Sequence, residues 1–287
     1  MSILKLDRIT KFENNLKKED LYRISPSSSS LGNLNKNADI LFESQQTSNP
    51  VDISNSFLYY KIKLDDITAT EDITLENNFF PLLFSSMTLT LGTYQVDQID
   101  NPGIISSMLN FVLRSESKKQ EGELIGWIPD TGKDNKGYKK RKAFYNLKNT
   151  FTGMFPLKHL FGFLESYNRV LFLMQMKLTL HREVNDALIF YGPTGEGKLV
   201  IESLEWCMPE LTLNPEYELS LLERLNTDKP IDVNYLNRKS NVIDLPAGST
   251  FSWQPFLLKN KPRFILVAFK DQTISAQENN SKFIQIN

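Results

Sequence analysis

Apolar and polar positions alternate along much of the chain from Phe57 onward. In SFLYYKIKL, Leu58, Tyr60, Ile62 and Leu64 share one side while Lys61 and Lys63 take the other. That period of two marks a half-buried strand. VLFLMQMKLTLHR carries the pattern further, with Val170, Phe172, Met174, Met176, Leu178 and Leu180 as an unbroken apolar face. Wound as a helix, the same span would place Lys177 and His181 on the stripe with Val170, Leu173 and Met174, so it predicts a strand.

Shorter runs follow the same logic: Met87–Leu91, Tyr94–Ile99, Ala187–Tyr191, Lys198–Trp206, Ile231–Leu236, Phe251–Trp253 and Arg263–Phe269. The last is continuously apolar, as a strand covered on both faces would be. Short strands divided by Gly, Pro and Asn turns predict a β-sandwich or barrel. Helices are few. Asn101-Pro102 offers a cap and a first-turn proline for a helix with Ile104, Ile105, Met108, Leu109 and Val112 inward. Asn214-Pro215 does the same for a helix burying Leu219, Leu222 and Leu225, and Pro156 opens a short one through Leu157, Leu160, Phe161 and Leu164.

Two stretches lie outside the alternation. Leu6, Ile9, Phe12 and Leu16 recur at helical spacing and predict an amphipathic arm over residues 1–25. From Ser25 to Pro50 the composition turns to Ser, Asn and Gln, including SPSSSS, which predicts a flexible linker. Ser115–Asn149 is long and charged and reads as an exposed loop.

Composition narrows the function classes. With 33 basic and 34 acidic residues in 287, the net charge is −1, unlike the strongly basic balance of general nucleic-acid coating. At 40% hydrophobic and 11% aromatic residues the chain can build a core, which excludes a disordered chain. A single cysteine, Cys207, allows no internal disulfide. The start, MSILKLDRITKF, lacks an apolar run of signal-peptide length, and no stretch approaches the about 18 apolar residues of a membrane span. The expectation is an intracellular, soluble protein, not a secreted one.

GPTGEGK, Gly192 to Lys198, fits the first seven positions of a phosphate-binding loop. That chemistry needs a hydroxyl next, to hold magnesium, and a helix whose amino terminus faces the phosphates. Here Leu199 follows and LVIESLEW alternates, so a hairpin between two strands is the better reading. KGYKKRK, Lys136 to Lys142, concentrates positive charge. Lys139, Lys140, Arg141 and Lys142 are candidates for a nuclear-import address or a basic contact loop, against the plainer reading of a solvated loop tip. His159 and His181 are the only histidines and sit on different elements, so no metal pair is expected. Cys207 reads as a core thiol. No catalytic residues, metal ligands or cofactor are predicted.

Four stretches, taken in order, resemble a known family. They are NNFFPLLFSSMTLTLGTYQVDQIDNPG (Asn77–Gly103), FPLKHLFGFLESYNRVLFLMQMKLTLHR (Phe155–Arg182), SLEWCMPELTLNPEYELSLLERL (Ser203–Leu225) and VIDLPAGSTFSWQPFLLKNKPRFILVAFKD (Val242–Asp271). The family is the double jelly-roll-like proteins, which include major capsid proteins of large and Polinton-type DNA viruses and relatives in animal genomes. The resemblance implies an all-β, eight-stranded jelly-roll sandwich with short inserted helices and an amino-terminal arm. Its expected divisions are residues 1–50 as arm and linker, 51–271 as the jelly roll, and 272–287 as a tail. In that tail FIQI (Phe283–Ile286) would start a second roll.

The implied function is a non-enzymatic, capsid-like shell subunit that associates with itself, as a trimer or larger shell, or with other capsid components. It would bind no nucleic acid sequence-specifically and span no membrane. It would sit in the virion if viral, and otherwise inside the cell or nucleus. The rival is a jelly-roll module binding a ligand or carbohydrate, for which Trp127 and Tyr138 are the aromatic candidates.

Overall fold

The computed structural model describes residues 15–36, 38–44, 49–65, 73–114, 119–130, 136–146, 150–183, 186, 189–191, 198–227, 232–245, 248, 250, 252 and 262–269. Its strands form two four-stranded sheets, numbered in chain order. One runs β1 (Leu16–Ile24), β10 (Lys198–Leu213), β3 (Phe57–Asp65), β7 (Thr150–Pro156). The other runs β2 (Asp39–Ser44), β8 (Met176–Arg182), β5 (Phe84–Leu91), β6 (Tyr94–Asp100). A small pair joins β4 (Thr74–Leu75) to β9 (Phe190–Tyr191). All pairings are antiparallel. The chain crosses repeatedly from one sheet to the other, so the first strand pairs with the last and β2 pairs with β8. That wrapped order is the jelly roll.

Alternation decides the core-facing side wherever a strand was correctly foreseen. Leu58, Tyr60, Ile62 and Leu64 of β3 are buried, as are Met87, Leu89 and Leu91 of β5. In β10 the register shifts between Ile201 and Ser203. This bulge flips the phase, so Leu199 and Ile201 before it and Leu204, Trp206 and Met208 after it all face inward. Pro209 falls where β10 has left β3 and pairs with β1 alone, so its missing N–H breaks no central ladder. Between the sheets Phe80 stacks on Tyr60 at 4.2 Å and meets Phe155 at 5.4 Å and Phe84 at 5.6 Å.

Several expectations are overturned. Within the predicted arm, Leu16–Ile24 is an edge strand on β10, because pairing Leu16↔Leu213 through Ile24↔Trp206 outweighs a short helical pattern. The predicted linker contains β2, whose Ile40 and Phe42 are fully buried. The serine run folds back on β2, with Ser27 N–H donating to Leu41 O at 2.7 Å and Leu41 N–H to Ser30 Oγ at 3.1 Å. The long strand foreseen from Val170 starts only at Met176. Leu173 turns to φ 53°, leaving Met174 exposed, while Leu171 bridges to Val51.

The predicted strand over Ile231–Leu236 is irregular chain at residues 232–236. Arg263–Phe269 is irregular too, with Phe264, Ile265 and Val267 exposed where burial on both faces was expected. Phe251, Trp253 and FIQI lie outside the described residues. Among the described residues, the eight strands of the two sheets lie between Leu16 and Leu213.

Both proline-led helices form. In α2 (Pro102–Leu113) Ile105 and Leu109 turn inward, but Val112 is exposed and the buried face includes Ser106, Ser107 and Asn110. Ser106 and Ser107 bond the side chain of Asn78, which sits at φ 59° before α1 (Phe79–Leu82). The helix α6 (Pro215–Leu225) buries none of its residues. A 3-10 turn at Leu157–His159 and α5 (Gly162–Ser166) bury Leu157, Leu160, Phe161 and Leu164 as foreseen. The supposed exposed loop instead holds α3 (Lys119–Leu124), α4 (Lys136–Arg141) and a π turn at Lys142–Asn146. Ile125, Trp127, Ile128 and Tyr145 from this region are buried.

Candidate functional site

The four basic residues end α4 and enter the π turn, yet they do not form one charged patch. Arg141 is fully enclosed. Its Nε donates to Leu75 O at 3.1 Å, its Nη1 to Ile128 O at 2.5 Å, and its Nη2 pairs with Asp130 at 3.3 Å. The guanidinium also lies 5.5 Å from the Tyr191 ring centroid. One cation thus ties β4, β9 and the 125–130 loop together, a task suited to the planar fork of arginine. Lys139 and Lys140 stay exposed, Lys140 paired with Glu123 at 2.5 Å, and Lys142 is half-buried with its Nζ 6.0 Å from the Tyr138 ring. What the sequence shows as a basic run is an interior clamp flanked by surface lysines.

The aromatic candidates are also turned away. Trp127 is 5% exposed and meets Phe111 edge-on at 4.8 Å. Tyr138 is half-buried against Tyr191 at 5.5 Å. Trp127 therefore offers no open face on which a sugar ring could stack.

Of the glycine-rich loop, residues 192–197 lie outside the described residues. Lys198 is an exposed first residue of β10, so a strand stands where a phosphate loop needs a helix. The hairpin reading is corrected too: β9 pairs with β4, while β10 pairs with β3 and β1. Added ATP is expected to leave the melting temperature of the protein unchanged, with or without Lys198→Ala. A nucleotide-dependent rise that vanishes on Lys198→Ala would reverse this.

The remaining reactive groups are separated. His181 sits on β8 opposite Asp39 of β2, Nδ1 to Oδ1 2.7 Å. His159 lies in the 3-10 turn 3.4 Å from Arg114 Nη2, and burial, with Arg114, Lys158 and Arg238 nearby, lowers its pKa to about 4. Cys207 is buried, and that burial pushes its thiol up to about 11, far from thiolate chemistry. Among the described residues, no three His, Cys, Asp or Glu side chains group to hold a metal ion. No helix there is long and apolar enough to cross a membrane.

The sheet edges are the surfaces left for contact. β1 carries LKKEDLYRI, charged along its length, a device that discourages strand addition. β6 is covered from outside by residues 232–245, which the sequence pattern did not reveal. Tyr235 Oη donates to Val96 O, and Ser240 Oγ donates to Asp100 O at 2.6 Å. Beyond the sandwich, α6 exposes Tyr217, Leu219 and Leu225, and residues 264–267 expose an apolar run.

A family model described as the double jelly roll-like domain matches residues 73–287. The chain belongs to this family. The match covers the sandwich from just before β4 and continues past its last strand, whereas β1, β2 and β3 precede it. Among solved structures, the Faustovirus major capsid protein is 10% identical, with a TM-score of 0.51 over 75% of this chain and 58% of its own. A chain of the Sputnik virophage, solved by cryo-EM, is 11% identical, with a TM-score of 0.51 over 74% of this chain and 51% of its own. At such identities the likeness is one of fold. The chain spans about half the length of these solved chains. No functionally curated protein matches it by sequence.

Proposed function

We propose that the chain supplies one jelly roll of a capsid-type shell subunit and acts by packing against neighbours, without catalysis. The observation that carries this is the wrapped order of two four-stranded sheets, β1-β10-β3-β7 and β2-β8-β5-β6, in a member of the double jelly roll-like family. A rigid sandwich with most strands paired and its ends decorated by helices presents repeated flat sides, which symmetric association can tile.

The roll extends from Leu16 to Leu213, and the chain from Asn214 onward leads toward a second one. Supporting this, Phe264 is 58%, Ile265 61% and Val267 70% exposed, a strand-forming apolar run that no described residue covers. The partners are copies of the same protein or other shell components. The location is the virion if the protein is viral, and otherwise the cell interior or nucleus. Near-neutral charge and the enclosure of Arg141 favour contacts between proteins over sequence-specific nucleic-acid binding.

Multi-angle light scattering tests the reading on the chain alone and on the chain joined in tandem to a second jelly roll. Trimers or larger assemblies of the tandem protein are expected. Both proteins staying monomeric at high concentration would defeat it.

A further inference from the structure

The amino end of β1 and the carboxyl end of β10 close on each other. Leu16 is opposite Leu213, and one step further out Asn214 N–H donates to Asn15 O at 3.0 Å. The ladder stops there, because Pro215 has no N–H to give and opens α6. The chain before Asn15 therefore cannot continue as a strand on β10. It parts from the sheet at the point where α6 starts, so residues 1–14 join the fold at the foot of that helix.

By itself α6 is a marginal helix. Its 11 residues fall short of the about 12–15 at which an isolated helix holds in water. Packing normally makes up the difference, yet α6 buries none of its side chains. Wound at about 3.6 residues per turn, Tyr217, Leu221, Leu225, Leu222 and Leu219 fall along one broad side, with Glu218 the one charge among them. On that side Tyr217 is 42%, Leu219 62% and Leu225 41% exposed, while Leu221 and Leu222 are half-buried. A stripe of this kind fits an apolar helix face of matching length.

We propose that residues 3–12 are that partner, lying along α6 of the same chain as an antiparallel amphipathic helix. The match is one of spacing, length, position and charge. Leu6, Ile9 and Phe12 recur at helical spacing, and Asp7 and Lys11 fall on the opposite side. Residues 3–12 wound as a helix span about 15 Å, and α6 spans about 16 Å. Two segments that leave one hydrogen-bonded point side by side run in opposite chain directions. Counted from the Asn15–Asn214 bond, Phe12 comes level with Tyr217, Ile9 with Leu221 and Leu6 with Leu222. Lys5, Arg8 and Lys11 outnumber Asp7 and Glu13 in residues 1–14, whereas Glu216, Glu218 and Glu223 outnumber Arg224 on α6. The short tether holds this segment near α6 at a far higher effective concentration than any second chain reaches, which favours pairing within one chain. The inference rests on segments of a single chain and is independent of the shell reading.

Cysteine cross-linking of the full chain tests it. With Ile9→Cys and Leu221→Cys together, mild oxidation should form a disulfide within one chain, read by mass spectrometry of the monomer. Cys207 is buried and does not compete. Asp7→Cys with Leu221→Cys, at the same level but on the far side of the proposed helix, should cross-link about tenfold less. Amide hydrogen exchange gives a second readout. Ile9→Asp should cut the protection of peptides over 215–225 about tenfold or more, and Leu222→Asp that of peptides over 1–14, while β3 and β8 keep theirs. A disulfide formed only between chains would give α6 to a second copy and overturn the proposal. Equal cross-linking from Asp7→Cys, or α6 protection untouched by Ile9→Asp, would overturn it as well.

Discussion

Arg141→Ala should lower the unfolding free energy by about 3–5 kcal/mol, the usual cost of removing one member of a buried, hydrogen-bonded charge pair. The guanidinium has no exposed surface, and Asp130 opposite it keeps only 14% of its side-chain surface. Without Arg141, the Leu75 and Ile128 carbonyls lose charged donors in a place that water does not reach, and the Asp130 carboxylate loses this counter-charge. Arg141→Lys retains the charge but not the fork, so a loss of about 1–3 kcal/mol is expected. Lys139→Ala should leave the urea midpoint where it is, since that side chain is in solvent. If Arg141→Ala behaved like Lys139→Ala, the basic run would be the solvated loop tip its composition suggests and the clamp would be wrong.

Phe42→Ala should cost a similar amount, about 3–5 kcal/mol, from lost transfer energy and the cavity left behind. The ring is fully buried on β2, opposite Leu178 of β8, inside a stretch whose Ser and Asn content suggests a flexible connection. Glu43→Ala, one residue on and facing solvent, should leave stability nearly unchanged. The pair of variants separates the two descriptions, because a linker would tolerate both. Urea titration at constant m-value is the measurement. A Phe42→Ala midpoint equal to that of Glu43→Ala would remove β2 from the core.

These two residues show where a sequence is hard to read. Phe42 lies in DILFES, where burial alternates but the letters do not, because Leu41 is apolar on the outer side and Ser44 is polar on the inner one. Neither composition nor period marks this strand. Arg141 is masked by its neighbours, since three of the four residues from Lys139 to Lys142 are lysines. A usable sign was Gly137, one helical turn earlier, whose Cβ would meet Pro129 O at 2.3 Å. A glycine four residues before an arginine marks the side of α4 that presses inward. Tyr235, Arg238 and Ser240 gave no such sign, because their contacts with β6 and α5 lie from 73 to 140 residues away in the chain.

By itself the sequence determined the class of the fold and much of its inward side. The alternation of β3 and β5, the starts of α2 and α6 at Asn-Pro, and the inert setting of Cys207 follow from local chemistry that each segment carries alone. Only the tertiary structure decided which strands complete the sandwich. β1 is a strand because β10 runs beside it, and Arg263–Phe269 pairs with no strand among the described residues although its residues favour pairing. A strand's hydrogen bonds belong to its neighbour as much as to itself, so a sequence can show readiness to pair but not whether a partner arrives. The same holds for charge: Lys139 and Arg141 differ little as letters. What separates them is that α4 turns one toward water and the other toward two carbonyls and a carboxylate.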